Sequence, residues 1–271
     1  MPKPRGWEFR AEHFAEAAAW IKPEQMGDED PTVPAPQEKE WFAKEDWLAM
    51  HESLLAESRA KGDACKLVFL GDSITQGWGG EGKDVWAEHY AEYGALNLGI
   101  GGDEVQHVTW RVQNGEVDAI SPEVAVILIG TNNIGNVGHK AEPVAAGIRL
   151  LLDELRARLP ETKLLLMATF PRDEHPDTPF RKEVADLNRI VQAYRDGEHI
   201  FFLDIGEFFT DYKQDISADI MPDFLHLSAA GYGIWRSNMD QTLKRLMHGR
   251  EGRIASVERP GGPLNLRKPA L

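Results

Sequence analysis

The feature that most constrains the fold of this chain is a repeated alternation of short apolar runs with stretches of helical periodicity. Each apolar run ends in a turn rich in Gly, Asn or Asp. Several runs are apolar at every position, which is typical of parallel strands buried on both faces of a sheet. The predicted strands are 66–70, 95–98, 124–129, 163–169 and 200–203. The pattern therefore predicts an α/β fold, a three-layer α/β/α sandwich with a five-stranded parallel sheet.

The chain divides by composition into three parts. Residues 64–248 carry the strand and helix pattern and form the predicted main domain. Residues 1–63 form an N-terminal segment in which a Pro- and acid-rich stretch, 23–40, predicts a linker, while 41–60 predicts an amphipathic helix. The tail, 249–271, combines Gly, Pro and Arg without periodicity. The N-terminal segment is expected to wrap the main domain or to contact a second subunit, and the tail to wrap a surface, reach a neighbour or stay disordered.

The net charge excludes several classes of partner. The chain has 30 Lys and Arg against 44 Asp and Glu, a formal charge of -14, which repels nucleic acid and anionic membranes. The apolar runs are far shorter than the ~20 residues of a membrane helix, and no signal-peptide pattern is visible. The single cysteine, Cys65, excludes an intramolecular disulfide and fits a reducing compartment. We expect a cytoplasmic protein that binds neither nucleic acid nor membrane, or a secreted or periplasmic one if a signal peptide has been removed; a homo-oligomer stays open.

Four of the predicted strands are followed by residues that can do chemistry. Ser73 lies in a Gly-Asp-Ser turn after the first strand, Gly102 in a glycine-rich turn after the second, and Asn132 after the third. After the fifth, Asp223 and His226 lie three positions apart, close enough for a carboxylate to orient an imidazole. Each signal alone has a structural alternative: a helix cap, a tight turn or an Asx turn. Because the carboxyl ends of parallel strands meet at one edge of a sheet, the conjunction predicts one active site.

The order of these residues resembles that of the SGNH or GDSL hydrolases, a family whose four sequence blocks supply Ser, Gly, Asn and His. The blocks match at Ser73, Gly102, Asn132 and His226. The chain is most similar to the branch of the catalytic α subunits of platelet-activating-factor acetylhydrolase and related bacterial esterases, which include carbohydrate acetyl esterases. Many members of the family have Asn-Asp where this chain has Asn132-Asn133. The similarity spans about residues 65–247 and is carried by 71–78, 97–116, 130–133, 170–172 and 223–227.

The resemblance implies a flavodoxin-like SGNH hydrolase fold and a serine esterase that needs no cofactor and no metal. Its catalytic triad would be Ser73 as nucleophile, His226 as general base and Asp223 as the carboxylate that orients the imidazole. The oxyanion hole would consist of the backbone N–H groups of Ser73 and Gly102 and the side-chain amide of Asn132. The residues expected to contact the substrate are Asp72, Trp78, Asp103 and Asn133.

The expected substrates are small-molecule or oligosaccharide esters with a short acyl group, acetyl above all. The resemblance points to acetyl esters, and the sequence has no long apolar lid segment to shelter a fatty chain. An acetylated sugar of the xylan type is the first expectation for the leaving alcohol, and an acetylated phospholipid is the second. An acyltransferase that uses the same residues, and a non-catalytic carbohydrate-binding or scaffold protein on the same fold, stay open as alternatives.

Other candidate signals carry less weight. Residues 77–82 fit the G-x-G-x-x-G pattern, but they lie beyond the expected strand end, and Asp84 stands where a phosphate-binding loop needs Ser or Thr. The histidines show no H-E-x-x-H spacing, which disfavours a zinc site. Asp204 follows the fifth strand and competes with Asp223 for the role of triad acid. The short spacing from Asp223 to His226 favours Asp223.

Overall fold

The computed structural model describes residues 30–248, so the expectations for residues 1–29 and for the tail lie outside the described residues. Its sheet has five strands in the order β2-β1-β3-β4-β5, and every neighbouring pair is parallel. The predicted fold is therefore confirmed, with strand ends within one or two residues of those expected. The strands are β1 Leu67–Gly71, β2 Leu96–Gly99, β3 Val124–Leu128, β4 Lys163–Met167 and β5 Ile200–Leu203.

Helices connect the strands and cover both faces of the sheet. They are α1 Lys44–Lys61, α2 Ser73–Gln76, α3 Lys83–His89, α4 Val105–Gln113, α5 Ala141–Arg158, α6 Pro179–Val191 and α7 Ala229–His248. A π-helical turn, Asn133–Val137, follows β3. Within the described residues, no helix is both long and apolar enough to cross a membrane.

Two buried clusters hold the three layers together. Alternate residues of a strand point to opposite faces, and on β1 Val68 and Leu70 belong to one cluster while Leu67 and Phe69 belong to the other. The helical members of the first cluster include Val108, Ile148, Leu151, Val184 and Leu187, from α4, α5 and α6. The second cluster includes Trp78 and Tyr90, which follow α2 and α3, and Trp235, Met239 and Leu243 from α7. Because both faces are covered, the central strands β1 and β3 are apolar and buried at every position.

Two glycines allow α2, the helix that follows β1, to lie against the ends of β1 and β2. A Cβ at Gly71 would overlap Thr75 and the carbonyl of Leu128. A Cβ at Gly99 would overlap the backbone of Gln76 and lie 2.8 Å from the carbonyl oxygen of Asp72. Only glycine permits such close backbone approach, and the approach places the start of α2 beside the end of β2.

The segment that precedes α1 packs on the main domain. Residues 30–43 have no regular element apart from a bridge between Lys39 and Phe42, as expected for a Pro-rich stretch. Gln37, however, is buried and donates hydrogen bonds to the carbonyl oxygen of Gly101 and to Asp103. The part of the expected linker that the structure describes is therefore fixed on the turn after β2.

Candidate active site

The turn after β1 presents Ser73 at the first position of α2. Asp72 is the N-cap of this short helix, and its carboxylate accepts a hydrogen bond from the backbone N–H of Ile74 at 2.9 Å. Such a cap satisfies one of the N–H groups that a helix leaves without a partner. The turn is thereby fixed, and Ser73 lies at the carboxyl edge of the sheet, where ligands of such folds bind.

Ser73, His226 and Asp223 are brought together by a continuous chain of hydrogen bonds. The Oγ of Ser73 lies 2.8 Å from Nε2 of His226, and Nδ1 of His226 lies 2.7 Å from Oδ2 of Asp223. The serine and histidine are 153 residues apart in sequence. The sequence-predicted residues thus occupy the relative positions that proton transfer from a serine hydroxyl requires.

The loop between β5 and α7 holds the histidine and its carboxylate in place. Oδ1 of Asp223 accepts hydrogen bonds from the backbone N–H groups of Leu225 and His226, at 3.1 and 2.7 Å. Phe224, which lies between Asp223 and Leu225 in the chain, has a φ of 59°, an uncommon left-handed conformation for a bulky residue. Partial burial would raise the pKa of Asp223, but the hydrogen bonds and charge of His226 outweigh it and lower the pKa. A carboxylate that stays ionised can stabilise an imidazolium beside it.

Asp204, which the sequence offers as an alternative triad acid, lies outside this chain of hydrogen bonds. Its Oδ1 accepts a hydrogen bond from the backbone N–H of Gly206 at 2.8 Å. The carboxylate at Nδ1 of His226 belongs to Asp223.

Three hydrogen-bond donors face the same edge of the sheet. Within residues 30–248, no protein group accepts a hydrogen bond from the backbone N–H of Ser73 or of Gly102. Gly102 has a φ of 79°, which only glycine adopts without strain. Nδ2 of Asn132 donates to the carbonyl oxygen of Asp103 at 2.9 Å, and a primary amide has a second hydrogen to give. Asn136 donates to Oδ1 of Asn132 at 3.2 Å and fixes the orientation of that amide.

The turn that carries Gly102 is held from behind by the carboxylate of Asp103, which is fully buried. Its Oδ1 accepts from Nε1 of Trp47 at 2.7 Å and from Nε2 of Gln37 at 3.2 Å. Its Oδ2 accepts a hydrogen bond from Nε of Arg111 at 2.9 Å and lies 2.8 Å from Nη2 in the same ion pair. A buried charge is tolerated only when it is paired in this way. Asp103 therefore fixes the turn and has no free acceptor lone pair directed at solvent.

Arg111 links that carboxylate to the ends of the two strands beside the site. Its guanidinium donates to the carbonyl oxygens of Leu98 and Gly71, at 3.0 and 3.2 Å, and forms an ion pair with Glu116. Burial would lower the pKa of Arg111, but Glu116 and Asp103 together raise it. The guanidinium is thus held in its charged form beneath the active site.

The side chains of Trp78, Asp103 and Asn133, which were expected to contact substrate, are all fully buried in the structure. The Trp78 ring packs among other rings, with centroids 4.6 Å from Tyr232 and 5.0 Å from Trp235. Asn133 caps α4 by accepting from the backbone N–H of Val105 at 3.0 Å. An aromatic or amide side chain that follows a strand beside the site can face the core, since local sequence does not decide which way it points.

Asp72, the fourth expected contact, is also buried. Burial, with the nearby Asp103 carboxylate adding to it, raises the pKa of Asp72 to about 7 against the opposing effect of the Ile74 N–H. Its Oδ2 has no hydrogen-bond partner within the described residues. The structure gives this side chain a capping role beneath Ser73 in place of a contact with substrate.

Two residues next to the site were missed by the sequence analysis. The ring of Trp41 and the amide of Gln37 both lie against Gly102, and a Cβ on that glycine would be 2.5 Å from Cη2 of Trp41 and closer still to Oε1 of Gln37. Both residues come from the stretch before α1. The only signal was an aromatic residue at the end of an acid-rich segment, and such a residue is as easily a packing residue.

The fold and the residues at its carboxyl edge define the class of the protein, a carboxylic ester hydrolase built on a three-layer α/β/α sandwich. The model of the GDSL-like lipase/acylhydrolase family matches residues 69–234, more than half of the chain. The chain therefore belongs to this family, as the order of its sequence blocks predicted.

Curated relatives and solved structures agree with this assignment. The chain is 35% identical over 215 residues to human platelet-activating factor acetylhydrolase IB subunit alpha1, covering 79% of this chain and 90% of that subunit. It is 33% identical to the rat alpha2 subunit, covering 76% and 87%. In fold it is similar to a putative acylhydrolase from Bacteroides fragilis, with a TM-score of 0.60, 22% identity and coverage of 78% and 100%. A catalytic mutant of an acetylxylan esterase from Geobacillus stearothermophilus gives a TM-score of 0.54, 22% identity and coverage of 69% and 95%.

Proposed function

We propose that this protein hydrolyses acetyl esters through an acyl-enzyme formed on Ser73. The observation that carries the proposal is the hydrogen-bonded chain from Ser73 Oγ through His226 to Asp223, with distances of 2.8 and 2.7 Å. His226 Nε2 takes the hydroxyl proton as Oγ attacks the ester carbonyl, and then gives that proton to the leaving alcohol. A water molecule, deprotonated by the same nitrogen, releases acetate and restores the serine. Asp223 keeps Nδ1 protonated throughout and stabilises the imidazolium.

The negative charge on the carbonyl oxygen would be stabilised by three donors. These are the backbone N–H groups of Ser73 and Gly102, which have no acceptor within residues 30–248, and the remaining N–H of the Asn132 amide. Donors fixed in advance at the position of the developing charge stabilise the transition state more than the ground state. Loss of the Asn132 donor in Asn132→Ala should lower kcat by about 100- to 1,000-fold.

The acyl group and the leaving alcohol are supported differently. Relatives at 35% identity are named acetylhydrolases, and this supports acetyl as the acyl group. We propose an acetylated sugar as the leading substrate. An acetylated phospholipid is the second candidate, favoured by the name of those same relatives.

The test compares wild type with Ser73→Ala on 4-nitrophenyl acetate, butyrate and octanoate, on an acetylated xylo-oligosaccharide and on a 2-acetyl phospholipid. We expect serine-dependent hydrolysis that falls from acetate to octanoate. Far-ultraviolet circular dichroism of Ser73→Ala should match wild type, so that loss of activity reports chemistry. Rates that rise toward octanoate would overturn the choice of acetyl.

Two further experiments separate the alternatives. A fluorophosphonate should label wild type and leave Ser73→Ala unlabelled; absence of labelling in wild type would favour a non-catalytic binding protein. Hydrolysis in the presence of an added acceptor alcohol should release free acetate. Transfer of most acetyl groups to the acceptor would instead identify an acyltransferase with the same residues.

A further inference from the structure

We propose that Trp41 is a specificity-determining residue of this active site and stacks on the sugar ring of the leaving alcohol. The inference rests on the proposed function, because it assigns a substrate contact to the same site. It adds a residue that lies N-terminal to the segment matched by the family model, 69–234.

The Trp41 ring lies against the turn that carries Gly102. A Cβ built on Gly102 would lie 2.5 Å from Cη2 and 2.9 Å from Cζ2 of Trp41, so the six-membered part of the indole rests on this glycine. The preceding residue, Gly101, is itself adjacent to the nucleophile, since a Cβ there would lie 3.8 Å from Cβ of Ser73. A leaving group that extends from the acyl carbon past this turn meets the indole.

Trp41 is much more exposed than the tryptophans of the core. Its relative accessibility is 66%, whereas Trp47, Trp78 and Trp235 are fully buried. Exposing so large an apolar ring forgoes the ~25 cal/mol per Å² that its burial would contribute. An exposed tryptophan at the edge of a reactive site has ring surface free to contact a ligand.

The segment around Trp41 is anchored, so the ring is held in place before substrate binds. Lys39 and Phe42 exchange backbone hydrogen bonds of 3.1 Å on either side of it. Lys39 forms an ion pair with the buried Glu104, and Gln37 donates to the carbonyl oxygen of Gly101 at 3.1 Å. A contact that is ordered in advance loses less entropy on binding.

The shape of the aromatic surface favours a sugar over a choline group. The rings of Trp41 and Phe42 are stacked with an interplanar angle of 15° and a centroid distance of 5.7 Å, so Phe42 backs one face of the exposed indole and the opposite face is the flat surface offered to a ligand. A pyranose has a flat apolar face of C–H groups that covers such a surface. A quaternary ammonium group is bound best where several rings enclose it, as in an aromatic cage. The flat pair supplies no such enclosure.

The experiment measures the ratio of kcat/KM for an acetylated xylo-oligosaccharide to kcat/KM for ethyl acetate, which carries the same acyl group and no ring. In Trp41→Ala we expect this ratio to fall by about five- to tenfold, the usual size of an aromatic contact. Trp41→Phe, which keeps a ring, should restore most of the ratio. The matched control is Tyr212→Ala, since Tyr212 is a more exposed ring, at 90%, in the loop after β5; its ratio should equal that of wild type.

A binding measurement that needs no turnover completes the test. In the Ser73→Ala background, added Trp41→Ala should raise the Kd for a deacetylated xylo-oligosaccharide by the same five- to tenfold, about one aromatic contact. An unchanged ratio and an unchanged Kd would overturn the inference. It would also be overturned if both esters lost activity equally, or if only a choline-containing acetyl ester were affected. Failure of the proposed function looks different, because wild type would then hydrolyse neither ester in a Ser73-dependent manner.

Discussion

The two sides of the Ser73 turn are built from opposite kinds of chemistry. On one side lies a charged network, defined as Asp103, Arg111, Glu116, Trp47 and Gln37, in which nearly every contact is a directional hydrogen bond. On the other lies an aromatic cluster, defined as Phe69, Trp78, Trp86, Tyr90, Tyr232 and Trp235, whose ring centroids lie between 4.6 and 6.3 Å apart.

The two sides differ in how precisely they hold the atoms of the active site. Ring packing is favourable over a range of orientations, so the ring contacts stabilise the fold without fixing any single atom sharply. A directional contact of the aromatic cluster is the hydrogen bond from the Tyr232 hydroxyl to the carbonyl oxygen of Ile74, at 2.7 Å. Charge-assisted hydrogen bonds lose strength when their geometry changes. The charged network therefore suits the turn that carries Gly102, whose N–H must be directed at one oxygen atom. We expect changes in the network to affect stability and turnover together, and changes in the aromatic cluster to affect stability alone.

The largest effect should come from removing the cation of the network. Arg111→Met leaves the carboxylates of Asp103 and Glu116 buried without a counter-ion, and loss of one partner of a buried ion pair costs about 3–5 kcal/mol. Arg111→Lys keeps the charge and loses the planar fork, so its cost should be intermediate. Urea denaturation followed by circular dichroism measures the free energy of unfolding.

The control for this prediction is Arg158→Met. Arg158 pairs at 2.7 Å with Asp118, which is more than half exposed, and such surface pairs contribute about 0–1 kcal/mol. If Arg111→Met were no more destabilising than Arg158→Met, the network would not be the support that its hydrogen bonds indicate.

A smaller effect is expected from Trp47→Phe, which keeps a ring and removes one donor of the network. Nε1 of Trp47 donates to Asp103 at 2.7 Å, and a hydrogen bond to a charged group contributes about 1.5–3 kcal/mol. Because Asp103 fixes the turn of Gly102, kcat on 4-nitrophenyl acetate should also fall, by about tenfold or more. Stability loss with full turnover would show that the network does not position the donor.

The matched substitution on the aromatic side is Trp78→Phe. Trp78 is as fully buried as Trp47, but its Nε1 has no hydrogen-bond partner within the described residues. The change therefore removes packing alone and should cost about 1–2 kcal/mol. The kcat/KM of the folded enzyme should stay within twofold of wild type, measured on 4-nitrophenyl acetate and corrected for the folded fraction. A rise in KM for sugar acetates would restore the original expectation that Trp78 contacts substrate.

These two tryptophans also show where sequence reasoning stops. The strands and the turns after them were predictable, because uniform apolar runs and Gly, Asn or Asp at their ends are local signals. Whether the indole N–H of Trp47 or Trp78 finds a hydrogen-bond acceptor, and whether the ring is buried or exposed, depends on contacts with residues far away in sequence. The hydrogen bond from Trp47 to Asp103 spans 56 positions, and no periodicity encodes it.

The same limit explains the residues gained and lost at the site. Ser73, Gly102, Asn132 and His226 were predicted as site residues because each follows a strand and the strands share an edge. Trp41 belongs to no strand, and it reaches Gly102 only because Gln37 fixes its segment on a turn 64 residues further along the chain. The polar and aromatic residues expected to contact substrate are buried in the structure, where they cap helices and pack against other rings.

Asp72 lies at the boundary between the two sides, and it gives the most specific prediction. Burial, with Asp103 adding to it, raises its pKa to about 7 from an ordinary value of 3.8. Between these values the folded protein keeps a proton that the unfolded chain releases, so the stabilising contribution is complete below pH 3.8 and is lost as the pH rises through about 7. Stability should therefore fall with rising pH in this window, by up to about 1.4 kcal/mol per pH unit from this group.

Asp72→Asn isolates that contribution, because asparagine is an equally good N-cap and cannot ionise. The free energy of unfolding, measured in urea between pH 4.5 and 8, should have a flatter pH dependence in the variant, and the two proteins should differ most at pH 8. At that pH the variant should be the more stable, since wild type carries a buried carboxylate whose Oδ2 lacks a partner within residues 30–248. Parallel pH profiles would mean that Asp72 is as free to ionise in the fold as in the unfolded chain. Asp72 would then belong with the charged network, and the boundary between the charged side and the aromatic side would lie between Asp72 and Trp78.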